Sequence, residues 1–139
     1  MRIMAIDYGD AHTGIAISDP TGFLAGFTTV INAYRPEVVA EQVAALAKEH
    51  GVEELVLGHP INMDGTRGPR SEKAQAMKAL LEETTSLPVV LWDERRTTID
   101  AHQILMNSGK NAKKRKKVVD AVAASLILEG YLTYKKSRG

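Results

Sequence analysis

The sequence predicts an α/β domain whose mixed five-stranded sheet carries helices on both faces, and three observations carry that prediction. The chain opens with three apolar, strand-like runs separated by short turns. It then alternates segments of helical period with short apolar strands, and it closes on a long apolar helix pattern. Hairpin-linked strands followed by strand-helix alternation give a three-strand antiparallel meander joined to parallel strands. At 139 residues there is room for one domain, residues 1–139, with a substantial core.

The first strand is the apolar run Ile3 to Ile6, which has the character of a strand buried on both faces and ends abruptly at Asp7. Gly9 and Gly14 give the following turn its backbone freedom, and Thr13 to Ser18 read as the hairpin partner. After Asp19-Pro20-Thr21-Gly22, residues Gly22 to Ala33 suit a third strand. Pro36 then opens a helix, where its missing N–H is no loss, and Val39, Val43 and Leu46 with Ala40, Ala44 and Ala47 form its apolar face. Gly51 ends it, and Leu55 to Leu57 make a short buried strand running into Gly58-His59-Pro60.

Asn62 to Ser71 is a polar loop longer than a simple connection requires. Ser71 suits an N-cap with Glu72 in the first turn, before a helix that turns Met77, Leu80 and Leu81 inward. Val89 to Trp92 is the fifth strand, and like the first it runs off its apolar stretch into acid, Asp93-Glu94-Arg95-Arg96. Thr97 or Thr98 caps a further helix that stops at Gly109. Lys110 to Lys117 reads as a mobile loop, too charged to pack. The last helix begins near Val118, with Asp120 in its first turn and apolar residues most of the way round.

Composition is that of an ordinary soluble globular protein, 44% hydrophobic and 25% charged. With no cysteine, disulfides and thiolate metal sites are excluded. No segment suits a membrane span or a signal peptide, so a cytoplasmic protein without membrane attachment is expected. The net charge of +1 hides an asymmetry. Residues 1–109 carry nine Lys and Arg against fifteen Asp and Glu, whereas residues 110–139 carry nine against two. A basic C-terminal quarter on an acidic body suggests a polyanion-binding surface, and Lys113, Lys114, Arg115, Lys116 and Lys117 concentrate that charge.

In layered α/β sheets ligands bind at the strand ends, where Asp7 and the Asp93-Glu94 pair lie. Taken alone, Asp7 fits a turn cap as well as a ligand. If Asp7, one of Asp93 and Glu94, and Asp120 converge, their mutual repulsion is best relieved by a divalent cation, and all-oxygen donors select Mg²⁺ or Mn²⁺. A pair of such ions about 4 Å apart would support phosphodiester hydrolysis by water, with no side-chain nucleophile. Strand alternation lets only one of Asp93 and Glu94 face such a site, and the pattern alone does not choose.

The combination IDYG, GHPINMDG, DERRTT and KKVVDAVAA, in this order from Ile6 to about Leu132, resembles the YqgF/RuvX family of the RNase H-like superfamily. The resemblance implies an RNase H-like fold with Asp7, Glu94 and Asp120 as metal-binding catalytic acids. It also implies a nuclease for the 5′ end of the 16S ribosomal RNA precursor, or alternatively a Holliday junction resolvase acting on branched DNA. Arg95 and the run Lys113 to Lys117 are then the candidate nucleic-acid contacts. Position 59 is often apolar in that family, and His59 departs from it.

Other readings stand beside this one. Asp7-x-Gly9 with Gly14 is also similar to the first phosphate loop of actin-like and sugar-kinase ATPases, which need two such domains. A non-catalytic RNA-binding module would keep the basic run but has no need of three acids. His12, His50, His59 and His102 lack metal-binding spacing and read as structural or surface residues, with His59 the best candidate for more. Arg67 and Arg70 suit phosphate contacts or solvated loop charges, and Tyr131 and Tyr134 suit packing. A junction resolvase would favour a homodimer, a processing nuclease is compatible with a monomer, and the sequence does not choose.

Overall fold

A computed structural model describes residues 1–19, 25–59, 68–93 and 112–138, the side chains of 25, 69–70, 112–121 and 136–138 excepted. Its centre is β1 (Arg2–Asp7), whose Ile3, Met4, Ala5 and Ile6 are all buried, as the unbroken apolar run requires. It is joined by β2 (His12–Ser18), β3 (Ala25–Asn32), β4 (Val52–His59) and β5 (Val89–Asp93) in the order β3-β2-β1-β4-β5. The meander β1-β2-β3 is antiparallel, and β4 and β5 add to β1 in parallel. This is the mixed five-stranded sheet that the order of elements predicts.

Helices α1 (Pro36–His50) and α2 (Pro69–Thr85) cover one face, and α3 (Ala112–Arg138) covers the other. On β1 the alternation is clear: Met4 and Ile6 pack with Val39, Val43 and Leu81 of α1 and α2, while Ile3 and Ala5 pack with Ile127, Leu128 and Tyr131 of α3. Gly51 closes α1 in the left-handed conformation (φ 66°), where a β-carbon would be strained.

Four local expectations are corrected. Ser71 is not the cap of α2. That role falls to Gly68, Pro69 takes the first helical position that suits it, and the backbone N–H groups of Ser71 and Glu72 bond the Gly68 carbonyl. The stretch from Lys113 to Lys117 is not a loop but the opening of α3. Lys, Arg and Ala are strong helix formers with no breaker among them. Asp120 consequently lies in the third turn of α3 rather than its first, too far from the end for the expected interaction with the helix dipole. Among its described side chains the helix is also less buried than its composition suggests: one stripe, Ala124, Ile127, Leu128, Tyr131 and Leu132, is covered, while Val122 and Leu126 stay half-buried. The expected helix between Thr97 and Gly109 lies outside the described residues.

Candidate active site

Asp7 ends the central strand. It is the last residue of β1, in register with Gly14 of β2, and alternation after Ala5 assigns it to the face covered by α3. The turn that follows tolerates no side chain at position 9, because a β-carbon on Gly9 would come within 2.3 Å of the His12 carbonyl oxygen. The Asp7-Tyr8-Gly9 sequence therefore combines an acid at a strand end with a turn closed tightly behind it. Beside Asp7, the floor under α3 is made of small residues. Ala5 pairs with Ala16, both are fully buried, and Ala124 of α3 packs in the same cluster. Side chains no longer than a methyl group let the helix approach the sheet closely here.

The far end of α3 is anchored by polar contacts. The Tyr131 hydroxyl donates to Glu54 of β4, and Lys135 Nζ reaches the other carboxylate oxygen at 3.4 Å. Burial first, and then the hydrogen bond to Glu54, push the Tyr131 phenol well above its ordinary range, so it stays protonated. Trp92 packs edge-on against Tyr131 and Tyr134, with ring centroids 5.8 and 5.7 Å apart, which supports the packing role expected of both tyrosines.

Asp93 falls on the opposite face from Asp7. It follows Val89 and Leu91, which pack toward α1 and α2, and it stands in register with His59 on β4. His59 Nε2 and Ser71 Oγ of α2 are 2.6 Å apart, with both residues buried, so the histidine that departs from an apolar position is a core polar contact. His12 Nδ1 lies 2.7 Å from Asn32, and the His50 ring packs on Phe27. The contacts of these three histidines fit the structural or surface reading of their spacing.

Of the expected triad, Asp7 alone has a described side chain. Glu94 and Arg95 lie outside the described residues, as do His102 and Arg67. Asp120 and Lys113 to Lys117 are placed as α3 backbone. Among the described residues no group of three His, Asp or Glu side chains could hold a metal ion.

One cluster escapes a reading by motif. Tyr8, adjacent to Asp7 but on the α1/α2 side, lines a cleft with Asp10, Tyr34 and Lys73. Burial foremost, and then the Asp10 carboxylate, raise the Tyr8 phenol above its ordinary value. The alternation of β1 is the available signal, since it turns Tyr8 away from Asp7.

A centre strand flanked by an antiparallel hairpin and parallel strands, covered among the described residues by two helices on one face and one on the other, defines an RNase H-like α/β domain. Thermus thermophilus RuvC in complex with a Holliday junction substrate shares this fold (TM-score 0.63, 13% identity, 98% of this chain and 96% of that one). So does the large terminase nuclease of thermophilic phage G20c (TM-score 0.54, 10% identity, 90% and 80%). The chain belongs to the RuvX family, described as "Holliday junction resolvase", which it matches over residues 1–134. It is 45% identical to a Halothermothrix orenii protein named "Putative pre-16S rRNA nuclease" (97% of this chain, 96% of that protein). It is 43% identical to a Bacillus subtilis protein of the same name (95% and 97%).

Proposed function

We propose that residues 1–139 form a single nuclease domain that hydrolyses phosphodiester bonds of structured RNA with a divalent cation, and that its substrate is the 5′ end of the 16S ribosomal RNA precursor. The observation that carries the proposal is the position of Asp7, an acid ending the central strand on the face covered by α3. With Asp93 on the opposite face, Glu94 is the carboxylate of that pair left to join Asp7. The dimensions of α3 agree with Asp120 as the third. From Tyr131, which bonds Glu54 opposite Ile3, position 120 lies eleven residues back, or about 16 Å along the helix. Ile3 to Asp7 is four residues of strand, about 13 Å.

Asp7, Glu94 and Asp120 would hold Mg²⁺ or Mn²⁺ through oxygen alone, as suits a hard cation. The bound cation would acidify a water and stabilise the charge on the departing oxygen. The carboxylates themselves fix its position. Arg95 and the cations at the start of α3 hold the phosphate backbone of the substrate, which relieves the repulsion among five consecutive positive side chains. The relatives' shared name supports the RNA substrate, while the family description supports a second reading, resolution of branched DNA in recombination. No helix among the described residues is long and apolar enough to cross a membrane, and a bacterial ribosomal RNA precursor, the proposed substrate, would place the protein in the cytoplasm.

Purified protein should cut a precursor RNA in Mg²⁺ or Mn²⁺, and Asp7→Asn should slow cutting about hundredfold or more with an unchanged circular dichroism spectrum. Cutting by the variant at the wild-type rate would refute the acid triad. A four-way DNA junction, cut faster than the RNA at equal salt, would favour the second reading.

A further inference from the structure

On the side of the sheet away from Asp7 lies a cleft of about 400 Å³, within the range of small-ligand pockets. Its floor is apolar, built from Met77 and Leu80 of α2. Tyr8 and Tyr34 supply aromatic surface, and Asp10 and Lys73 form its polar rim. Tyr34 is 82% exposed, a large ring kept in water without being needed in the core. Lys73 Nζ is 2.9 Å from the Asp10 carboxylate, an ion pair whose members are both more than half exposed and so exchange partners at little cost.

We propose that this cleft receives an unpaired nucleobase of the strand whose phosphate lies at Asp7, which rests on nucleic acid being the substrate. The backbone supplies the connection. Tyr8 follows Asp7 directly, their Cα atoms about 3.8 Å apart, and strand alternation sends the two side chains to opposite faces of the same strand end. A single strand passing over this edge presents a phosphate to one face and a neighbouring base to the other. Among the described residues the charges around the cleft balance, Asp10 against Lys73 at 2.9 Å and Glu37 against Arg35 at 3.8 Å, so they offer no excess of cations to a second phosphate and leave a neutral ring unopposed. A neutral aromatic ring fits the apolar floor and the exposed Tyr34, and every base has such a face. Asp10 can accept from an exocyclic amino group, while Lys73 can donate to a base carbonyl.

The test uses the full chain and a labelled oligoribonucleotide of about 12 nucleotides, compared with the same oligomer made abasic. Binding is followed by fluorescence anisotropy in chelator, so the result does not depend on cation or cleavage. Wild type should prefer the intact oligomer by about tenfold or more. Tyr34→Ala, at an exposed position, and Ala76→Gln, which fills the cleft from exposed α2 surface, should each erase that preference and leave the salt dependence unchanged. Wild-type preference retained in both variants would overturn the proposal, and so would equal binding of the two oligomers by wild type. A protein that cuts RNA through Asp7 but shows no base preference removes the cleft and leaves the triad. Base preference erased in both variants while Asp7→Asn still cuts removes the triad and leaves the cleft.

Discussion

The His59–Ser71 contact gives the most direct energetic test of how the carboxyl end of β4 is held. The two residues are 6% and 0% exposed, and Nε2 lies 2.6 Å from Oγ, which also accepts from Gln75 at 3.3 Å. Ser71→Ala removes the hydroxyl and leaves the imidazole nitrogen facing a methyl group, which costs about 1–3 kcal/mol. With about 2.1 cal/mol/K of unfolding entropy per residue, a 139-residue chain should lose about 3–10 °C of Tm. His59→Leu removes the other partner, and Gln75 still serves the serine. Combining the two replaces both partners with apolar groups, so the double variant should recover most of the loss. Thermal unfolding of the four proteins should therefore give a coupling of about 1–2 kcal/mol. Losses that add to within about 0.5 kcal/mol would refute the claim that this pair is a coupled core contact.

Further predictions concern the cation, the basic run, the phenols and the floor beneath α3. Mg²⁺ or Mn²⁺ at about 100 times its dissociation constant should stabilise wild type by about 2.7 kcal/mol in thermal unfolding, and Asp7→Asn should abolish that gain; equal stabilisation of both proteins would place the cation elsewhere. Replacing Lys113 to Lys117 with Ala should lower the salt slope of single-strand binding by up to about 0.7 for each phosphate no longer neutralised, and an unchanged slope would mean the run does not touch nucleic acid. Because Tyr8 and Tyr131 are both raised, folding opposes their ionisation. Their contribution to stability is thus full below about pH 10 and falls as pH rises beyond it; Tyr131→Phe should flatten that fall in urea unfolding. Ala16→Leu should wedge α3 from the sheet at a cost of about 1–3 kcal/mol, read as a lower urea midpoint, and cutting should fall with it.

What is legible in the chain follows from the range of the forces involved. Periodicity is local, so the centre strand, the meander and the inward faces of α1 and α2 can be read from Ile3 to Ile6, Val39 and Val43, or Met77 and Leu81. The start of α3 is hidden because its charge density resembles a bar to helix formation. Charge bars only burial, and Lys and Arg favour a helix wherever solvent covers it. The cap of α2 is hidden for the converse reason: Ser71 has the right chemistry for a cap, but its hydroxyl is used twelve residues back by His59, a partner that no local pattern reveals. The same distinction governs the acids. Alternation is a short-range rule, so once β5 is seen to turn Val89 and Leu91 toward α2, it excludes Asp93 from the Asp7 face without help from a homologue. The proposed approach of Asp120 to that face depends instead on the path of α3 over the sheet. That path is set by contacts far apart in sequence, Tyr131 on Glu54 and Ala124 packed with Ala5 and Ala16. The small residues that permit it leave no mark in the sequence pattern, because a close approach needs only the absence of side chain.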